Sequence, residues 1–326
     1  APEVSIYLDA GHGGWLGWKN NMEGYVSTIR HLDLAQHLRG FATNVAGYQP
    51  LGTMCPSYDW CLEGAHPGDP CCADPCHLTT QWDPSQNEHN YALHLRKAFS
   101  EGIPGFVPHM IIDTSRNGVT DMRHDCSNWC NIRGAGVGLR PTAETANPEI
   151  IDAYFWLKTP GESDGCSSER LPDGGLCRRY DPDCSSEDSL GDGANEPLAP
   201  KAGDWFDYQI KQLAANAIMS PSSGSVPASS APASSAPADP TSPVAVSDNP
   251  FSGRSFYVNP EFSLELGSSI SSAEGQIKAM LEDMQDVPSA YWLDSKAKVS
   301  GWGRTYSMEG ILAGAAAKSP PQLVTF

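Results

Sequence analysis

The chain is poor in positive charge. Lys and Arg together number 21 against 39 Asp and Glu, a formal net charge of −18. Phosphate backbones are gripped by Lys and Arg, so general electrostatic binding of nucleic acid is excluded, and an anionic membrane surface is disfavoured on the same ground. No uninterrupted apolar run approaches the roughly 18 residues of a membrane span. The opening residues, APEVSIYLDAGHGG, hold neither a basic n-region nor an apolar h-region, so no secretory leader is expected within them. There is no C-x-x-C pair of the kind that builds a zinc site. No cofactor, metal or obligate protein partner is indicated. Apolar residues are not scarce: they make up 40% of the 326, enough to exclude wholesale disorder.

Ten cysteines stand at 55, 61, 71, 72, 76, 126, 130, 166, 177 and 184. Cys71 and Cys72 are adjacent, and the stretch from Cys61 to Cys76 is rich in Pro, Gly and Asp. Cysteines in such polar, loop-forming sequence are expected in disulfide-stapled loops, and therefore in an oxidising, secreted or extracellular setting.

Ser220 to Asn249 reads SPSSGSVPASSAPASSAPADPTSPVAVSDN. Ser, Pro and Ala dominate, which predicts an extended linker with a composition open to O-glycosylation. It divides the chain into residues 1–219 and 250–326. The first segment repeats one design: a short apolar run ends and a polar residue follows. Ile6-Tyr7-Leu8 leads into Asp9, Phe41 to Val45 carries Asn44, Met110-Ile111-Ile112 leads into Asp113 and Arg116, and Ala153 to Leu157 leads into Lys158. Helical spacing is read between them at Leu32–Leu38, Tyr91–Phe99 and Trp205–Ala217. Strand, polar residue, loop and helix in repetition predict an α/β fold, a parallel barrel whose site lies at the C-terminal ends of the strands. In the second segment Ala290 to Leu293 leads into Asp294, and Gln322 to Phe326 reads as a further strand.

Three constellations carry chemistry. LDAGHGGW, residues 8–15, alone suggests a zinc amidase with His12 as ligand, but it runs on into Trp-Leu-Gly-Trp and lacks the later Ser-x-His context. Trp15, Trp18, Trp129 and Trp292 stand beside polar residues at strand ends, and an indole is a flat apolar plate suited to the C–H face of a sugar. Lys158-Thr-Pro-Gly-Glu162-Ser-Asp164-Gly165 sets two carboxylates and a lysine immediately after a strand. Glycosidic hydrolysis uses a pair of carboxyl groups, one of which activates water in inverting enzymes.

In order, VSIYLDAGHGGWLGW, RGFATNVAGY, IIDTSRNG, NWCNIRGAGVGLRP and YFWLKTPGESDG closely resemble the family 6 glycoside hydrolases, over nearly all of residues 1–219. These are inverting cellulases built on a distorted barrel of parallel strands. The tail, with NPFSG at 249–253 and YWLD at 291–294, resembles the beginning of the same family's domain. The resemblance implies Asp164 on the base side of the reaction and Asp9 beside the point of cleavage. It implies sugar-binding roles for His12, Trp15, Trp129, Lys158, Glu162, Trp292 and Asp294, an Arg116 close to the acidic cluster, and a Cys130–Cys184 disulfide. The implied partner is a β-glucan such as cellulose.

The sequence departs from the pattern in three ways. Gly47 stands where a substrate-binding Asn is usual, and a cysteine-rich insertion runs from Leu51 to about Thr80, expected as a loop over the groove. The family's later part comes first and its central stretch is missing: neither Tyr-Asp-Leu-Pro nor Glu-Pro-Asp-Ser, the loop that supplies the general acid, occurs in these residues. The barrel is thus expected to be incomplete. The order suggests residues 1–219 as the C-terminal part of one catalytic module and 250–326 as the N-terminal part of a second, with a permuted, deleted module as the alternative. Long loops at 51–80 and 166–197 favour a cellobiohydrolase over an endoglucanase. The competing reading is a glucan-binding remnant without its acid.

Overall fold

The computed structural model describes residues 4–219, 248–300 and 305–326. Most of the Ser/Pro/Ala-rich stretch, 220–247, lies outside the described residues. The frame is a parallel sheet of four strands in sequential order: β1 (Tyr7–Asp9), β2 (Gly40–Thr43), β3 (His109–Asp113) and β4 (Ile151–Phe155). Tyr7 pairs with Gly40, Gly40 with His109, and Met110 with Ile151. Every residue of β4 is buried, and so is all of β3 beyond His109. Strands covered on both faces read as unbroken apolar runs, which is why MII and AYF could be found by inspection. β1 is only half-buried, as an edge strand is.

Between β1 and β2 lie a single turn, α1 (Gly13–Leu16), and the helix α2 (Lys19–His31). The helical spacing at Leu32–Leu38 is not realised as an α-helix. Asp33 takes a left-handed φ of 53° just after α2 and leaves only a 3-10 turn over Ala35–His37. The crossover helix precedes it and buries Met22, Val26 and Ile29 on one face. That stripe is diluted in sequence by Asn, Gly and Thr. α3 (Glu88–Gly102) links β2 to β3. The Asn87 side chain caps it by accepting from Asn90 N–H at 2.9 Å, and it buries Tyr91, Leu95 and Phe99 four residues apart. α4 (Asp207–Ala215) closes the first segment.

The second segment contributes α5 (Pro260–Ser271), α6 (Gly275–Met284), a short α7 (Lys296–Val299) and α8 (Met308–Ala316). It packs into the first segment's core. Phe262, Leu266, Leu281 and Met284 share one buried cluster with Trp156, Ile210 and Leu213. The rings of Trp156 and Phe262 meet edge to face at 6.3 Å. Ser289 bridges in parallel to Trp156, Ala290 N–H donates to the Trp156 carbonyl at 2.8 Å, and Tyr291 N–H to Thr325 at 3.0 Å. The runs expected as strands at 290–293 and 322–326 thus continue the sheet beyond β4 as extended chain with a few ladder bonds.

The lower end of the sheet is fastened by Asp152, whose side chain is fully buried. Arg39 binds it in a fork with two bonds of 3.0 Å, Tyr7 donates its hydroxyl, and His109 Nδ1 lies 3.2 Å away. Burial alone would raise this carboxyl's pKa, but the three partners hold it below the usual carboxylate range. Asp248, which the sequence reading gave to the linker, also pairs with Arg39 at 2.9 Å, and Asn249 donates to the Asp152 carbonyl at 2.8 Å. Asp248 and Asn249 thus belong to the packed frame of the first segment.

If the two segments share one core, Phe262→Ala will destabilise both. Truncating a fully buried Phe costs about 3–5 kcal/mol. Urea denaturation followed by near-UV circular dichroism should show one transition at a lower midpoint. A variant that melts residues 250–326 alone, with the wild-type midpoint kept for the rest, would make them separate units.

Candidate functional site

The strand ends converge at the C-terminal edge of the sheet. Asp9 closes β1, Asn44 follows β2, Asp113 closes β3, and Lys158 follows β4. Asp113 is the cross-tie. Its buried carboxylate accepts from the N–H groups of Ala46 (3.1 Å), Ser115 (2.8 Å) and Lys158 (2.9 Å), fastening the turns after three strands to one residue. Asn44, in the left-handed region at φ 57°, donates to the Asp113 carbonyl at 2.9 Å and accepts from Gln49 N–H at 3.0 Å. The Gly47 departure is explained here: a Cβ on that residue would lie 2.2 Å from Asn44 Oδ1.

Asp164 sits in the loop after β4 with its side chain 5% exposed. Arg116, fully buried, donates to both of its oxygens at 2.7 and 2.9 Å. Tyr48 donates its hydroxyl at 3.1 Å and Asn131 its backbone N–H at 2.8 Å. The other guanidinium arm of Arg116 reaches the Ala46 carbonyl, and its plane lies 4.2 Å from the Tyr48 ring centre. Burial alone would lower the arginine's pKa, but the Asp164 charge outweighs it, and the group stays protonated. The Asn131 side chain accepts from Asp164 N–H at 2.8 Å and donates to the Gly165 carbonyl at 2.8 Å. The Cys130–Cys184 disulfide is closed against this loop, so near that a Cβ on Gly165 would stand 2.7 Å from Cys184 Sγ.

Asp9 is exposed and accepts from Gly11 N–H at 2.7 Å; the surrounding protein raises its pKa. His12 bonds through Nδ1 to Gln49 at 3.1 Å. Burial, with Arg123 adding to it, lowers its pKa to about 4, so the ring is neutral from pH 5 upward. Gln49 and Arg123 were not singled out from the sequence, nor were Tyr48 and Asn131. Tyr48 and Asn131 stand inside the motifs RGFATNVAGY and NWCNIRGAGVGLRP and Gln49 directly after the first, while Arg123 lies between motifs with no signal of its own.

Of the tryptophans, Trp15, Trp129 and Trp292 are 60%, 40% and 38% exposed, too open to be core. Trp15 lies against Gly11, which has φ +58° and whose Cβ would come within 2.8 Å of the indole. Trp129 anchors its N–H on Asp183 at 3.1 Å and Trp292 on the Leu157 carbonyl at 2.6 Å, each leaving ring surface open. Trp18 is partly covered, its indole N–H donating to the Gly14 carbonyl at 3.3 Å. Lys158, nearly buried, pairs with Glu162 at 2.9 Å and lies 5.1 Å from the Trp292 ring centre. Trp292 comes from the second segment, so the two segments share this corner. Asp294, two residues beyond Trp292, is exposed and paired with Lys298 at 3.2 Å. Nearby, burial and then the charges of Glu162 and Glu261 push Glu265 up to about 7.

Three further disulfides hold the cysteine-rich insertion: Cys55–Cys71, Cys61–Cys72 and Cys76–Cys126. The first four sulfurs lie within 4.8 Å of one another, but both pairs are oxidised and leave no thiolate for a metal. Cys166–Cys177 is the fifth. The insertion is attached at two places. The end at Cys76 meets the loop that carries Trp129, while Tyr58 and Leu62 lie against the outer helices α2 and α3.

Residues 1–62 and 69–217 match the family described as Glycosyl hydrolases family 6. The chain is 38% identical over 223 residues to a probable 1,4-beta-D-glucan cellobiohydrolase C of Aspergillus fumigatus, covering 66% of this chain and 41% of that protein. It is 36% identical over 218 residues to exoglucanase 3 of Agaricus bisporus, covering 66% and 42%. Among solved structures it is similar to Cel6C, a glycoside hydrolase family 6 enzyme from Coprinopsis cinerea, with a TM-score of 0.52 and 32% identity over 67% of this chain and 52% of that one. It is similar also to cellobiohydrolase II (Cel6A) from Humicola insolens in complex with glucose and cellotetraose, with a TM-score of 0.51, 32% identity and the same coverage. The chain thus spans about two fifths of the length of these curated relatives.

One buried carboxyl under the site gives a pH test. Glu88 accepts from Gly13 N–H at 3.1 Å, and burial pushes its pKa up to about 7 from an ordinary 4.5. Between those values the native state holds a proton that the unfolded chain has lost. Stability therefore falls as pH rises, by roughly 1 kcal/mol per unit. Glu88→Gln keeps an acceptor for Gly13 and removes the titration. Its stability relative to wild type should rise between pH 5 and pH 7 in urea denaturation; a constant difference would contradict this account.

Proposed function

We propose a function from one premise: this chain belongs to glycosyl hydrolase family 6. The reading is that the protein hydrolyses β-1,4-glucosidic bonds of cellulose or a related glucan with inversion, and as a cellobiohydrolase in preference to an endoglucanase. The observation that carries it is the Asp164 loop, an ion pair enclosed by four chain segments beside open tryptophan faces. Curated relatives over the matched region are named cellobiohydrolases, which supports the exo preference. Residues 250–326 are read as the opening part of such a module, and the five disulfides suit an extracellular setting.

The chemistry follows from the geometry. Asp164 has its oxygens committed to Arg116, Tyr48 and Asn131, so it contributes a fixed negative charge on the side where water attacks and the sugar becomes cationic. Asp9, exposed at the end of β1 across the sheet from that loop, is read as a second carboxyl supporting the same charge pattern. Trp15, Trp129 and Trp292 offer plates for pyranose faces, while His12, Lys158, Glu162 and Asp294 offer donors and acceptors for hydroxyls. Neutral His12 can do both. Arg116 acts on Asp164, not on sugar, since it is wholly buried. The acid that protonates the leaving oxygen belongs to a Glu-Pro-Asp-Ser loop that these residues do not contain.

Two measurements test the reading. Calorimetric titration of the chain with cellotetraose should show binding that Trp15→Ala or Trp129→Ala weakens by about tenfold without unfolding. Reducing-sugar release by the chain alone should stay at background. Clear turnover would mean that another carboxyl here, such as Asp9, serves as the acid. Where the missing loop is supplied, Asp164→Ala should lower kcat by about 10²-fold or more, the scale of acid–base contributions. The first product seen by NMR should be the α-anomer, and a β-anomer would overturn the inverting mechanism.

A further inference from the structure

Away from the strand ends, the cysteine-rich insertion and the outer helices enclose a cavity of about 720 Å³. Its walls include Tyr58 and Trp82 from the insertion side, Lys19, Glu23 and Arg30 from α2, and Lys97 from α3. None of these residues belongs to the site described above.

Trp82 is the unusual one. It ends a 3-10 turn in the left-handed region, at φ 68° and ψ 20°, where a side chain is unfavourable and glycine is the ordinary choice. It is also 64% exposed, and among the described residues its indole N–H makes no hydrogen bond. Neither packing nor backbone geometry explains a tryptophan here. The turn is nonetheless firmly held. Trp82 and Asp83 N–H donate back to Thr79 and Leu78 at 3.2 and 3.0 Å, and the Asp74 carboxylate accepts from Leu78 and Thr79 N–H at 3.0 and 2.8 Å. Tyr58 is stacked on His94 at 5.0 Å and 17°. The segment that carries Tyr58 is bracketed by the half-cystines Cys55 and Cys61.

We propose that this cavity is a second glucan-binding site, with Trp82 as the plate for a pyranose ring. The choice of β-glucan as ligand rests on the function proposed above; the choice of a neutral sugar rests on the cavity itself. The walls carry Lys19 and Arg30 beside Glu23, and Lys97 paired with Glu101. Walls that set both signs side by side suit no single charge over the whole cavity, and they offer a polyhydroxylated ring both the donors and the acceptors that it needs. The indole supplies the apolar face. A site on the outer helices can hold a polysaccharide chain without entering the groove at the strand ends.

The test uses the full chain and cellohexaose as probe. Trp15→Ala provides a background in which the groove contributes less. In that background, adding Trp82→Gly should weaken cellohexaose binding a further fivefold or more by calorimetry, while Trp82→Tyr, which keeps a plate, should lose no more than about twofold. Glycine fits the left-handed turn, so the thermal midpoint of Trp82→Gly should equal or exceed wild type, which separates lost binding from lost folding. Unchanged cellohexaose affinity in Trp82→Gly would overturn the proposal. So would a self-association in sedimentation that Trp82→Gly abolishes, because the plate would then serve a second copy of the chain. Loss at Trp82 together with no effect of Trp15→Ala would leave this site standing and sink the groove reading instead.

Discussion

Arg116 is a guanidinium with no access to water, and such a group is tolerable in a protein interior only if a carboxylate meets it. Asp164 does so, and the requirement arranges everything around it. The loop after β2 must bring Ala46 O and Tyr48 OH, the loop after β3 must bring Arg116, the segment after Cys130 must bring Asn131 N–H, and the loop after β4 must bring Asp164. Four separate stretches of chain are thereby fixed relative to one another. Breaking such a pair by removing one partner costs about 3–5 kcal/mol, because a buried charge is left alone. The neighbouring Cys130–Cys184 disulfide and the Asp113 cross-tie hold the same loops by other means.

The opposite end of the sheet repeats the device with a different outcome. Asp152 is likewise a buried carboxylate met by an arginine, here in a fork, and by Tyr7 and His109 as well. It lies at the start of β4, away from the open tryptophans, and it collects β1, the approach to β2, β3 and the returning chain at Asp248. In parallel α/β folds the C-terminal edge of the sheet carries chemistry and the N-terminal edge carries stability. The two carboxylates divide in that way: Asp164 lies at the strand ends where open tryptophans gather, and Asp152 lies at the opposite end among structural partners.

The second segment completes the frame. Trp156, continuing from β4, is covered by Phe262 and paired with Ser289 and Ala290, and Trp292 is drawn over Lys158 by its bond to the Leu157 carbonyl. A residue of one segment thus finishes the corner built by a lysine and a glutamate of the other. The cysteine-rich insertion has a comparable double attachment. Its Cys76 end is tied to the loop of Trp129, and its Tyr58 side lies on the outer helices.

Much of this was legible in the residues. MII and AYF announced buried parallel strands, the polar residues after them marked the edge where side chains gather, and the order of LDAGHGGW, TNVAGY and KTPGESDG carried the family. The crossover helix at 19–31 was missed, because its buried stripe is interrupted by Gly24 and polar residues, and tertiary packing supplies what local propensity lacks. Trp18 and Trp15 look alike in sequence, yet Trp15 stays open while Trp18 is partly covered and bonds to Gly14, a difference that only the fold decides. Tyr48, Asn131 and Gln49 became visible only in three dimensions: each acts through a partner tens of residues away, and no local pattern encodes a contact of that range. Strand identity and motif chemistry are local properties, which a sequence states by itself. The meeting of Arg116 with Asp164, the seat of residues 250–326 against Trp156, and the cavity under Trp82 are decided by how distant segments pack, because only packing brings their charges and surfaces within reach of one another.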